Sequence, residues 1–158
     1  MSYSKQEIPP VFRIAKKALD VGVVVVDLER QRRFYGDILG LPYAGYMPVP
    51  GGVLHVYLCG DSYLKLYSMD EKPGAQGGAF GSTAGFAYIT LTVPDARGAY
   101  RDAVEKGATV IAEPGTFDGK ATLAEPIGRM KARWALLADG DGNMIELIEY
   151  CELPDSEG

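Results

Sequence analysis

Two stretches carry the same pattern: Asp20-Val21-Gly22-Val23-Val24-Val25-Val26-Asp27 and Tyr88-Ile89-Thr90-Leu91-Thr92-Val93-Pro94-Asp95. Each is rich in β-branched residues, which suit a strand. Each ends on an aspartate placed to cap the helix that follows. After the first, Leu28, Phe34, Tyr35, Ile38 and Leu39 fall on one side of a helix, with Arg30, Arg33 and Asp37 toward the other. Gly40 stands where a helix C-terminus takes glycine. After the second come Ala99, Tyr100, Ala103 and Val104, and Gly107 closes the helix.

Working outward, the stretches Leu41–Met47, Val53–Cys59 and Tyr63–Ser68 read as strands. Pro48-Val49-Pro50-Gly51-Gly52 is one turn and Gly60-Asp61 a tight hairpin. In the second half, a strand begins at Ala108–Ala112, and Arg133–Asp139 and Met144–Tyr150 pair around Gly140-Asp141-Gly142-Asn143. Gly60-Asp61-Ser62-Tyr63-Leu64-Lys65-Leu66 is echoed by Asp141-Gly142-Asn143-Met144-Ile145-Glu146-Leu147, a second internal repeat in step with the first. The order β-α-β-β-β therefore occurs twice in one α+β domain spanning 1–158: a first module over 18–69, a Gly/Pro-rich linker over 70–85 and a second module over 86–150. The arm Met1 to Lys17 and the acidic tail Leu153–Gly158 read as irregular. Strand alternation turns Val21, Val23 and Val25, with Ile89, Leu91 and Val93, toward the helices. Asp20, Gly22 and Val24, with Tyr88, Thr90 and Thr92, take the opposite faces and line a shared cavity.

The chain has 158 residues and 47% hydrophobic residues, ample for a core without disulfides or metals. Its 21 acidic and 16 basic residues give a net charge of -5, so it lacks the electrostatic footprint of a nucleic-acid binder. The run Arg30-Gln31-Arg32-Arg33 reads as the solvated face of a helix. The longest apolar run, Val21–Val26, is far short of the ~20 residues that span a bilayer, and no secretory signal is expected. Cys59 and Cys151 form no C-x-x-C, which points to a reducing cytoplasm. Asp139-Gly140-Asp141-Gly142-Asn143 begins like a calcium loop, but Met144 and Tyr150 stand where that loop needs glycine and glutamate.

The pattern Asp20-Val21-Gly22 through Val26-Asp27-Leu28-Glu29, then Phe34-Tyr35 and Leu39-Gly40-Leu41, resembles the first module of the vicinal oxygen chelate superfamily. That group includes glyoxalase I, bleomycin-resistance proteins, extradiol dioxygenases and methylmalonyl-CoA epimerase. The closing hairpin Asp139 to Leu147 resembles the second module's last strands, with Gly140 where proline is usual. The resemblance implies sheets curled into a cup with helices outside, and a homodimer. It also implies a four-residue divalent-metal site, which maps here onto Asp20, Lys65, Tyr88 and Glu146. An ammonium has no lone pair, and a neutral phenol is a poor ligand, so no metal and no cofactor are expected. Lys65 is expected to stand between Asp20 and Glu146 in the metal's stead.

The residues expected to line the cup are Asp20, His55, Tyr57, Tyr63, Thr90 and Trp134, with aromatic rings as a flat wall for a ring-bearing ligand. The first functional reading is metal-free binding of a small molecule, as in bleomycin resistance. The alternative is a lyase or isomerase of glyoxalase I or epimerase type. In it Glu146 moves a proton beside a carbonyl, and Lys65 or Tyr88 stabilises the enolate. An extradiol dioxygenase is a third reading.

Overall fold

The computed structural model describes residues 15–74, 81, 84–122 and 129–150. The arm up to residue 14, much of the linker, Cys151 and the acidic tail lie outside the described residues. The elements run β1 (Val21–Val24), α1 (Leu28–Arg32, continued by a π-helical turn Arg33–Ile38), β2 (Tyr43–Val49), β3 (Gly52–Cys59) and β4 (Ser62–Met69). They continue as β5 (Tyr88–Thr92), α2 (Ala96–Glu105), β6 (Thr109–Thr122), β7 (Arg129–Ala138) and β8 (Met144–Tyr150). The four-stranded sheets have matching orders, β1-β4-β3-β2 and β5-β8-β7-β6. In each, the first strand runs parallel to the last and the remaining pairs are antiparallel. The result is two mixed, curled sheets with the helices packed outside.

The local signals act as expected at the helix starts. Asp27 and Asp95 are extended N-caps whose carboxylates accept from the backbone N–H of Arg30 and Gly98, at 3.0 and 2.9 Å. Gly40 and Gly107 leave the helices at φ 72° and 94°. The proline-glycine turn is tighter than expected: β2 runs through Pro48 to Val49, leaving Pro50 and Gly51 as the turn. The widening of α1 was not legible in side-chain spacing; it is marked by Leu39 N–H donating five residues back to Phe34.

One core serves both modules. Leu64 and Leu66 from the first sheet join Leu137, Ile145 and Leu147 from the second, around Phe34, Tyr35 and Ile38 of the first helix and Ala103 of α2. Burying each such side chain contributes about 1.5–3 kcal/mol.

A polar latch sits beside this core. The buried Asp139, at the start of the β7–β8 hairpin, accepts from Gln31 Nε2 (3.0 Å) and the Tyr35 hydroxyl (2.7 Å) of the first module. It also accepts from the N–H groups of Asp141 and Asn143 and from Asn143 Nδ2. Gln31 is wholly buried; its Oε1 accepts from Gly140 N–H at 3.0 Å. Asp141 takes the N–H groups of Val26 and Asp27, at 2.8 and 3.1 Å, where β1 gives way to α1. Burial pushes the Tyr35 phenol far up, and the charge of Asp139 adds to this. Gly140 is required by contact: a Cβ there would lie 2.5 Å from the Arg30 carbonyl carbon. That packing explains a residue other than proline at this position.

Two expectations follow for urea unfolding. Asp139→Ala strands several donors in a buried setting and should lower stability by about 3–5 kcal/mol. Gly140→Ala forces two backbones apart and should cost at least ~1–3 kcal/mol, as overpacking does. Unchanged midpoints in both variants would show that the latch contributes nothing.

Candidate functional site

Strand register decides which side chains share a face. Leu64, Leu66, Ile145 and Leu147 point into the core, so their neighbours Tyr63, Lys65, Met144 and Glu146 take the opposite, concave faces. Across the ladders Lys65 pairs with Gly22 and Val56, and Tyr63 with Leu58. Glu146 pairs with Thr90 and Leu136, Trp134 with Ile148, and Tyr88 with Met144. Register therefore sets Lys65 and Tyr63 on the face of the first sheet that turns from the core, and Thr90, Glu146, Trp134 and Tyr88 on the corresponding face of the second. Asp20 precedes β1 on the parity of Gly22.

Two glycines make room for rings on these faces. At Gly22 a Cβ would lie 3.0 Å from the ring of Tyr67, and at Gly115 it would lie 2.6 Å from the indole of Trp134. Much apolar surface is left open: Val24 is 53% exposed, Tyr88 48% and Tyr63 44%.

The charges are arranged differently from expectation. Asp20 accepts from Lys16 Nζ at 2.6 Å and from Tyr63 N–H at 2.7 Å. The Lys16 hydrogen bond, then the Tyr63 N–H, hold its carboxyl below the usual range; Lys65 adds a weaker, longer-range pull. Glu146 accepts from the Thr90 hydroxyl at 3.3 Å. Among the described residues Lys65 makes no ion pair within 4 Å, so it does not bridge Asp20 and Glu146 at contact distance.

The donor set does not fit the four-ligand metal site of the fold. Lys65 occupies one position and offers only N–H donors. Asp20 is engaged by an ammonium and an amide. Among the described residues no three His, Cys, Asp or Glu side chains come together as metal ligands.

His55 and Tyr57 lie on the other side. They pair in register with Leu66 and Leu64, so they face the helix, and Tyr57 is buried in the core. Counting outward from the two-residue turn Gly60-Asp61 yields this parity from the sequence. His55 Nδ1 is 2.9 Å from the Tyr43 hydroxyl, and the two rings stack at 6.0 Å. Burial, then the nearby Arg32 charge, depress the pKa of His55. Arg32, expected on a solvated face, is half-buried and stands 5.1 Å over the ring of Tyr43. The neighbouring Tyr57 hydroxyl raises the pKa of Arg32. Nothing in the residue types alone joins Arg32 to Tyr43; only the packing of α1 on β2 and β3 does.

Among the described residues no helix is long and apolar enough to cross a membrane. No curated protein matches the sequence. Solved structures do match the fold. The protein SMU.1112c shares 19% identity at a TM-score of 0.62, over 84% of this chain and 98% of that one. A glyoxalase/bleomycin resistance protein/dioxygenase from Alicyclobacillus acidocaldarius shares 15% at 0.61, over 89% and 96%. Glyoxalase I from Zea mays shares 21% at 0.61, over 89% of this chain and 47% of that one. The sequence model of the glyoxalase/bleomycin resistance protein/dioxygenase superfamily matches residues 17–147. With the duplicated βαβββ order, that match makes the chain a member of the glyoxalase/bleomycin resistance protein/dioxygenase superfamily.

Proposed function

We propose that this protein binds a small, ring-bearing organic molecule on the concave faces of its sheets without a metal, as a cytoplasmic homodimer. The observation that carries the reading is the union of open apolar surface with one uncommitted cation. Tyr63, Tyr88 and Val24 are each roughly half exposed, while the half-buried Lys65 makes no ion pair among the described residues. Apolar walls with a few placed polar groups are what small-molecule sites offer. Exposed apolar patches also mark contact surfaces, which supports the second copy.

One observation favours a second reading, a lyase or isomerase. Glu146, the counterpart of Lys65 in the duplicated motif, is a carboxylate held by the hydroxyl of Thr90 across the β5–β8 pair. In that case Glu146 takes a proton from a carbon beside a carbonyl, and Lys65 or Tyr88 stabilises the oxyanion. The extradiol dioxygenase reading needs a metal that the donor set does not suit.

A thermal-shift screen of aromatic drugs, glutathione adducts and acyl-CoA esters tests binding. A true ligand at 100 times its Kd stabilises the folded state by about 2.7 kcal/mol. Lys65→Met should weaken an anionic hit by about tenfold or more, the worth of a charge-assisted hydrogen bond. Loss of no affinity in this variant would remove Lys65 from the site. Turnover of a hit, abolished by Glu146→Gln with binding retained, would select the enzyme reading over simple binding. Elemental analysis should find less than stoichiometric metal; one tightly held metal per chain would overturn the metal-free reading.

A further inference from the structure

We propose that the flank of the first helix carries a second ligand site, in which Arg32 and the exposed ring of Tyr43 take a planar organic carboxylate. It lies on the helix-facing side of the first sheet and rests on none of the concave-face residues.

The site is a cavity of about 690 Å³ between the helix and strands β2 and β3. Tyr43 pairs with Tyr57 across these strands, their rings 5.2 Å apart at 51°, so the buried Tyr57 backs the exposed ring of Tyr43, which forms one wall. The backbone at Gly36 forms another; a Cβ there would come within 3.3 Å of the Tyr57 ring. Gly36 lies in the π-helical turn, a distortion that recurs at functional sites. Tyr43 is 42% exposed, so this wall is open to a ligand.

Arg32 is set for an anion. The central carbon of its guanidinium lies 5.1 Å over the ring of Tyr43. That contact uses no N–H donor, which leaves the N–H groups of the guanidinium for a carboxylate. Its neighbours are committed: Arg30 pairs with Asp27 at 3.1 Å, and Arg33 donates to the Lys106 carbonyl at 3.1 Å. Among the described residues Arg32 has no carboxylate within 4 Å. Glu29 and Asp37 stand at the rim, and Glu29 is the weakest of the influences on Arg32. The rim acids favour a ligand with a single negative charge over a phosphate or a dicarboxylate. The aromatic wall of Tyr43 and a side-chain-free backbone at Gly36 favour a flat body attached to it.

The test uses benzoate as probe and benzamide as its uncharged counterpart. Benzoate should give saturable NMR shifts at the backbone amides of Gly36, Tyr43 and Tyr57. Benzamide should bind about tenfold more weakly or worse, since it lacks the charge-assisted contact. Arg32→Gln should weaken benzoate to the same degree, and Arg32→Lys should fall between, keeping the charge without the planar fork. Shifts centred on Gly22, Lys65 and Thr90 would overturn the proposal. So would the absence of saturation up to about 10 mM, a range covering millimolar affinity. Mapping in the unmutated protein decides the matter even if a variant fails to fold.

Discussion

Asp139 accepts hydrogen bonds from both halves of the molecule, and the seam between the modules depends on it. A buried carboxylate is costly unless its lone pairs are met. Here they are met by Gln31 and Tyr35 on one side and by its own hairpin on the other. The same hairpin presents Asp141 to the two N–H groups that β1 leaves unpaired as it turns into helix. The hydrophobic core is continuous across this seam, but apolar contact has no direction. The latch supplies the direction, fixing how the first helix lies against the second sheet.

Duplication leaves each sheet with two faces of different character. The helix-facing sides are closed by leucine, isoleucine and alanine, and the concave sides keep tyrosine, tryptophan, lysine and glutamate half open. The superfamily fold provides such a concave surface whatever chemistry is placed on it, and function follows from the side chains present. The four positions that the resemblance maps to metal ligands hold Asp20, paired with Lys16, the ammonium of Lys65, the phenol of Tyr88 and Glu146, which accepts from Thr90.

The sequence was most informative where structure is set locally. The caps at Asp27 and Asp95, the glycines after the helices and the turn at Gly60-Asp61 are short-range chemistry, and they are read from neighbours. The core-facing side of β1 and β5 followed from alternation along each strand. His55 and Tyr57 were harder, because their side depends on register carried through a turn. The latch was not legible at all: a glutamine in a helix and an aspartate in a turn are ordinary polar residues until folding brings them within 3.0 Å. The cluster of Arg32, Tyr43 and Tyr57 was hidden for the same reason, since its members meet only through helix-on-sheet packing.

The latch also bears on how the chain is made. Its bonds join residues separated by 104 to 115 positions, so they close late by the rule that distant contacts cost the most entropy to form. Synthesis proceeds from the N-terminus, and the first module emerges well before the hairpin that completes it. Until then Gln31 and the N–H groups of Val26 and Asp27 have water as their partner, and the apolar seam beneath them is open. The first half of this protein is thus a nascent chain awaiting its second half, its apolar seam uncovered until the β7–β8 hairpin arrives.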